Sequence, residues 1–174
     1  ANPTRTVLEQ ALGSLEEAEF WLAFASGMAA ITTMALLLTP GDHVIAPDDV
    51  YGGTYRLFVR VLHRYGIETT FVEMTDVAAV ERAMKDRTRL VFIETPTNPL
   101  LKVSDVRALA DIAHQRGIPL GVDSTFATPA LLRPLEWGAD IVMHSTTKYL
   151  SGHNQIIGGV VLTNDADFHA KMRY

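Results

Sequence analysis

Short runs of apolar and β-branched residues recur along this chain between polar, turn-forming segments: Phe20 to Ala25, His43 to Pro47, Thr69 to Glu73, Leu90 to Thr95, Leu120 to Ser124, Asp140 to Ser145 and Gly159 to Thr163. Their length and composition predict strands. Between most of them apolar residues fall at helical spacing, as in Val7, Leu8, Ala11, Leu12 and Leu15, in Val77, Val80 and Met84, and in Val106, Leu109, Ile112 and Ala113. These predict amphipathic helices. The last has well-marked ends: Ser104 or Asp105 can cap its start, Arg116 lies in its last turn, and Gly117 stands where a left-handed residue closes a helix, ahead of Pro119. Runs as continuous as Leu90-Val91-Phe92-Ile93 and Ile141-Val142-Met143 belong to strands covered on both faces, hence to a mostly parallel sheet. The expected fold is α/β, a three-layer α/β/α arrangement around a seven-stranded sheet.

Composition narrows the picture. The chain has 174 residues, 48% hydrophobic and 20% charged, with mean hydropathy +0.12, and no linker or repeat interrupts it, so a single globular domain is expected. Fifteen Lys and Arg against 20 Asp and Glu give a net charge of −5, and no basic cluster could follow a phosphate backbone, which argues against nucleic acid as a partner. Zero Cys excludes disulfides, iron–sulfur clusters and thiolate zinc sites. No apolar run approaches the roughly 20 residues of a membrane span, and Ala1 to Glu9 lacks a signal pattern, so no membrane partner and a cytoplasmic location are expected. The histidines show no metal-ligand spacing and read as surface or structural residues; no metal is expected. Trp21 and Trp137 read as core or interface packing, and Glu16, Glu17 and Glu19 as a solvated helix end.

In parallel α/β sheets ligands bind beyond the carboxyl ends of the strands. The polar segments in that position are Ser26-Gly27, Asp48 to Gly53, Glu94 to Asn98, Asp123 to Thr125, and Ser145 to Lys148. Ser26-Gly27-Met28 turns from a strand into an apolar helix, whose free amides suit an anion such as a phosphate; the alternative is that Ser26 only caps that helix. Asp123 can meet a ligand cation or cap the turn at Ser124. Lys148 follows a buried strand, where desolvation would favour a neutral, nucleophilic amine able to condense with an aldehyde, unless the side chain snorkels to solvent. Ser145 and Thr147 add hydroxyls for a phosphate oxygen, and Tyr51 an aromatic platform. One ligand uses all of these: pyridoxal phosphate, with its phosphate, ring nitrogen, aldehyde and flat aromatic face.

The residues that carry this reading also carry a family likeness. Pro3-Thr4-Arg5, Ala25 to Ala30, Tyr51-Gly52-Gly53-Thr54, Glu94 to Pro99, Val122-Asp123, Ser145 to Tyr149 and Ser151-Gly152-His153 resemble the cystathionine γ-lyase and γ-synthase family, the Cys/Met-metabolism group of pyridoxal-phosphate enzymes of fold type I. The resemblance implies that Lys148 holds the cofactor and shuttles protons, that Asp123 partners the ring nitrogen, and that Tyr51 stacks on the ring and acts as acid or base. It further implies that Ser26, Gly27, Met28, Ser145 and Thr147 hold the phosphate, that Asn98 lies near the ring oxygen and substrate carboxylate, and that Thr125 packs near the ring. Glu94 reads as structural, or as a support for residues that touch the cofactor. Ser124 stands where the family commonly has Asn, and Gln155 where it commonly has Asp.

The same resemblance makes residues 1–174 the cofactor-binding large domain, without the N-terminal arm and C-terminal small domain that members carry, and implies a dimer of dimers. The implied reaction is γ-elimination on a sulfur amino acid, as in a cystathionine γ-lyase. The alternatives are a γ-synthase or another γ-replacing or sulfhydrylase member, and an inactive or assembly-only fragment. Methionine γ-lyases typically have Cys where this chain has Gly53, which counts against that activity. Neither G-x-G-x-x-G nor G-x-x-x-x-G-K-[ST] occurs, against a dinucleotide-dependent oxidoreductase.

Overall fold

The computed structural model describes residues 2–173. The strands are β1 (Phe20–Phe24), β2 (His43–Pro47), β3 (Glu68–Val72), β4 (Thr88–Glu94), β5 (Leu120–Asp123), β6 (Ile141–His144) and β7 (Gly159–Thr163), and the helices α1 (Pro3–Glu16), α2 (Gly27–Ala35), α3 (Gly52–Arg56), α4 (Val77–Ala83), α5 (Val106–His114), α6 (Thr128–Leu131) and α7 (Ala166–Met172). The strands form one sheet in the order β1-β7-β6-β5-β4-β2-β3. β7 runs antiparallel to its neighbours β1 and β6, and the other pairings are parallel. The carboxyl ends of β1 to β6 therefore share one edge of the sheet.

Because successive strand residues face opposite ways, two cores form. On one face Val91, Ile93, Leu120, Val122 and Val142 pack under α1, α4 and α5; on the other Val44, Leu90, Phe92, Ile141 and Met143 pack under α2, α7 and the segment from α3 to Tyr65. This is the three-layer α/β/α fold the patterning predicts. α5 begins at an Asp105 cap, whose side chain accepts the Ala108 N–H at 3.0 Å, and Gly117 takes the left-handed conformation, φ 65°. Of the two cap candidates, Asp105 is therefore the one used.

Some expectations need correction. Of the apolar positions in α1 only Leu12 is buried, with Gly13 and Glu16, while Val7, Leu8 and Leu15 face outward. The helix approaches β1 so closely that a Cβ at Gly13 would lie 2.2 Å from the Trp21 ring. Glu16 is consequently not part of a solvated end: it is fully buried. Trp137 is half exposed, with Arg107 stacked 5.0 Å from its ring centroid, so it is not core. Tyr51, in the polar segment that follows β2, caps α3, which passes into a π-helical turn (Leu57–Val61) and a 3-10 turn (Leu62–Tyr65) that no clean period in the sequence marks. His43 is buried between two hydroxyls, with Nδ1 2.8 Å from Thr88 Oγ1 and Nε2 2.7 Å from Thr70 Oγ1, a structural role.

Candidate functional site

The carboxyl-terminal edge of the sheet opens into a cavity of about 210 Å³. Ser26, Gly27, Met28, Tyr51, Asn98, Asp123, Thr125, Ser145, Thr147 and Lys148, all singled out in the sequence, line it together. The strand order brings them there: β4, β5 and β6 are adjacent, and α2 starts just beyond β1.

At the α2 end, the Ser26 side chain accepts the Ala29 N–H at 3.1 Å, so the capping reading of Ser26 holds and its oxygen is engaged. The Gly27 and Met28 amides, next in line, find no acceptor among the described residues. A Cβ at Gly27 would lie 2.7 Å from Ser145 Cβ, and one at Gly159 would lie 2.3 Å from the Ser26 carbonyl oxygen. The loop after β6, the start of β7 and the start of α2 thus meet at van der Waals contact, leaving backbone amides and the Ser145 side chain around one corner. Such a corner suits a phosphate. The Thr147 hydroxyl is tied to the neighbouring loop, donating to Gly158 O at 3.2 Å and accepting from Gly158 N–H at 3.1 Å.

Asp123 lies on the cavity face of β5 and is buried. Its Oδ1 accepts both the N–H and the hydroxyl of Thr125, whose Oγ1 in turn accepts the Ser145 N–H at 2.8 Å. Burial raises the Asp123 carboxyl above the ordinary range, and the Thr125 hydrogen bonds and the charge of His144 only partly offset it. A cationic ring nitrogen would supply the missing counter-charge. These bonds are the turn-capping arrangement, and Oδ2 takes part in neither of them.

Lys148 lines the same cavity, yet it is exposed in this chain, so the expected desolvation is not met. β6 ends at His144, and a turn closed by Lys148 N–H to Ser145 O at 3.2 Å lifts the lysine clear of the interior. Beside it, Tyr149 meets Phe126 edge-on at 6.0 Å, and Phe126 also lines the cavity. Tyr51 is 45% exposed. Its ring covers Gly53, where a Cβ would fall 2.4 Å from Cε1 and 2.8 Å from the Met28 sulfur, so a side chain at 53 would displace the ring.

Glu94 is the residue whose part the sequence left open. Buried at the end of β4, it accepts the Tyr51 N–H at 3.1 Å on one oxygen and the Asn98 N–H at 2.7 Å on the other. One carboxylate thereby ties the loop after β2 to the loop after β4. Burial first, then the neighbouring Asp123 charge, push its carboxyl up to about 8. Pro96, inside the Glu94 to Asn98 segment, completes the lining with Phe126, Met143, Ile31 and Ile157, and these last four were not foreseen. Only the Gly158-Gly159 pair opening β7 offered a sequence signal for the close contact made there.

No group of three or more His, Asp or Glu among the described residues could hold a metal ion. No helix among them is long and apolar enough to cross a membrane.

Comparison with known proteins covers the whole chain. The family model described as Cys/Met metabolism PLP-dependent enzyme matches residues 1–174. A cystathionine gamma-lyase of Bacillus subtilis is 51% identical over 174 residues, covering 100% of this chain and 46% of the relative. A probable cystathionine gamma-synthase of Herpetosiphon aurantiacus is 50% identical over 173 residues, covering 99% of this chain and 54% of the relative. The crystal structure of cystathionine gamma-lyase from Lactobacillus plantarum, complexed with L-serine, superposes with TM-score 0.97 at 44% identity, over 99% of this chain and 45% of that one. The chain spans about half the length of the curated relatives it matches.

Proposed function

The chain belongs to the Cys/Met metabolism family of pyridoxal-phosphate-dependent enzymes, and on that premise we propose that it holds the cofactor on Lys148 and acts on a sulfur-containing amino acid by γ-elimination, in the manner of a cystathionine γ-lyase. The observation that carries this reading is the placement of Lys148 and Asp123, from the ends of adjacent strands, on one cavity that also takes in Gly27 and Met28 at the start of α2. Residues 1–174 are read as the cofactor-binding domain.

The residues fit the cofactor. A cradle that a Cβ at Gly27 would fill, a buried carboxyl short of a counter-charge and a primary amine answer a phosphate, a ring nitrogen and an aldehyde respectively. Pyridoxal phosphate supplies, when bound, an electron-withdrawing ring that stabilises negative charge on the substrate's Cα. The chain's own groups do the rest. Asp123 holds a proton at the ring nitrogen. Lys148 would take a proton from Cα, give it up at C4′ of the cofactor so that its amine is free again, and then, for departure of a γ-substituent, take one from Cβ; its exposed, flexible stem lets it reach successive atoms. Tyr51 and Asn98 line the cavity, where Tyr51 would lie against the cofactor and deliver a proton to the leaving sulfur and Asn98 would orient the substrate carboxylate. Glu94 keeps Tyr51 and Asn98 in register with each other.

A γ-synthase reading has its own support in the Herpetosiphon relative, as similar as the Bacillus lyase. The deciding experiment is a product assay of the protein loaded with pyridoxal phosphate. Release of 2-oxobutanoate from cystathionine supports the lyase; turnover only with an acylated homoserine plus cysteine supports the synthase. No turnover of either, with the cofactor bound, would refute both. Assembly as a dimer of dimers and a cytoplasmic location belong to the same proposal.

A further inference from the structure

On the sheet face opposite the cavity lies a buried acid–base pair that the proposed chemistry does not use. Glu16, the last residue of α1, and His144, the last of β6, are 0% and 1% exposed in their side chains, and His144 Nε2 hydrogen-bonds Glu16 Oε1. Groups withdrawn this far from water are unfavourable unless engaged, so breaking the pair leaves its survivor in an unfavourable place. Three further polar atoms there are buried without a partner among the described residues: Glu16 Oε2, His144 Nδ1 and Ser124 Oγ. Ser124 continues the β5–β6 ladder by donating its N–H to Met143 O at 3.1 Å. By strand alternation Ser124 and His144 face away from Asp123 and Met143. The polar cluster therefore lies directly behind the two strand ends that carry the site.

A short hydrogen-bonded path leads from it to the cavity. His144 is followed by Ser145, whose N–H donates to Thr125 Oγ1 at 2.8 Å, and Thr125 donates twice to Asp123 Oδ1. These bonds connect the β6 end to the Asp123 carboxylate. We propose that Glu16 is a positioning residue for Asp123, acting across the sheet through His144, Ser145 and Thr125. Its bearing on catalysis rests on the role of Asp123 proposed above. Glu16 anchors His144, so the β6 end and the imidazole stay where they favour an ionised, correctly turned Asp123. The other titratable groups at Asp123 are Glu94, beside it on β4, and Tyr51 and Lys148 across the cavity.

The test follows the Asp123 carboxyl by carbon-13 NMR through a pH titration in the 174-residue chain without cofactor, comparing wild type, Glu16→Gln and Leu12→Ala. Leu12 is buried one turn earlier on the same helix and has no such path to Asp123. Glu16→Gln is expected to move the Asp123 midpoint upward by roughly half a pH unit or more, while Leu12→Ala lowers the unfolding temperature and leaves that midpoint in place. If Glu16→Gln does not fold, Glu16→Ala removes the same acceptor from His144 and carries the same expectation. An unmoved Asp123 midpoint in the link variant, or an equal shift in Leu12→Ala, would overturn the proposal. Because no cofactor enters, a failure to bind pyridoxal phosphate would count against the proposed function and leave this result standing.

Discussion

Glu94 and Asp123 are register partners on adjacent parallel strands, so their carboxyl groups stand side by side on the same sheet face and line the same cavity. Two buried acids this close resist simultaneous ionisation. Glu94 is pushed to about 8, and Asp123 is raised as well.

The first prediction concerns stability. The folded value for Glu94 lies above its ordinary 4.5, so between about 4.5 and 8 the folded chain binds a proton that the unfolded chain has released. The contribution of this group is full below the lower value and is lost as pH rises through the upper one; Asp123 acts with the same sign. Urea unfolding midpoints should fall from about pH 6.5, above which the opposite contribution of His43 is complete, to about pH 8.5, and Glu94→Gln should flatten that fall. A midpoint that rises over this interval, or falls as steeply in the variant, contradicts the account.

His43 gives the opposite slope. Burial, then the charges of Lys85 and Arg87, lower it from 6.5 to about 4. Its contribution is complete above the ordinary value and disappears as pH drops through the folded one. His43→Gln should lose about 1–3 kcal/mol at pH 7 through its buried hydroxyl contacts, yet lose less than wild type on further acidification to about pH 4. Parallel acid limbs in the two proteins would refute this.

Gly27→Ala should damage the phosphate corner. Its Cβ would meet Ser145 Cβ at 2.7 Å, whereas a Cβ at Gly52 meets only Arg56 Nη1, at 3.5 Å. The Gly27 variant should lose about 1–3 kcal/mol of stability to overpacking and at least tenfold, about 1.4 kcal/mol, in affinity for pyridoxal phosphate by absorbance titration. Gly52→Ala should bind like wild type. Equal affinities in both variants would remove Gly27 from the site.

Much of the fold and of the site is legible in the sequence. The strands announce themselves because a parallel sheet covered on both faces needs unbroken apolar runs, and the residues lining the cavity lie just past those runs, where strand polarity must place them. Tertiary contact decides the rest. Glu16 looks solvated because its neighbours Glu17 and Glu19 are polar; only the pairing with His144, 128 residues away, withdraws it from water. Lys148 looks buried because it follows Ile141-Val142-Met143, yet the turn after His144 carries it outward. The segment from Tyr51 to Tyr65 mixes α, π and 3-10 turns, which share no single period for a pattern to reveal.

The central claim is that Lys148 is the amine that takes the cofactor. Borohydride reduction of the chain mixed with pyridoxal phosphate, followed by peptide mapping, tests it most directly. The cofactor's added mass should be found on the peptide that contains Lys148, and Lys148→Ala should abolish it. Modification of a different lysine, or none in the wild-type chain, would contradict the claim.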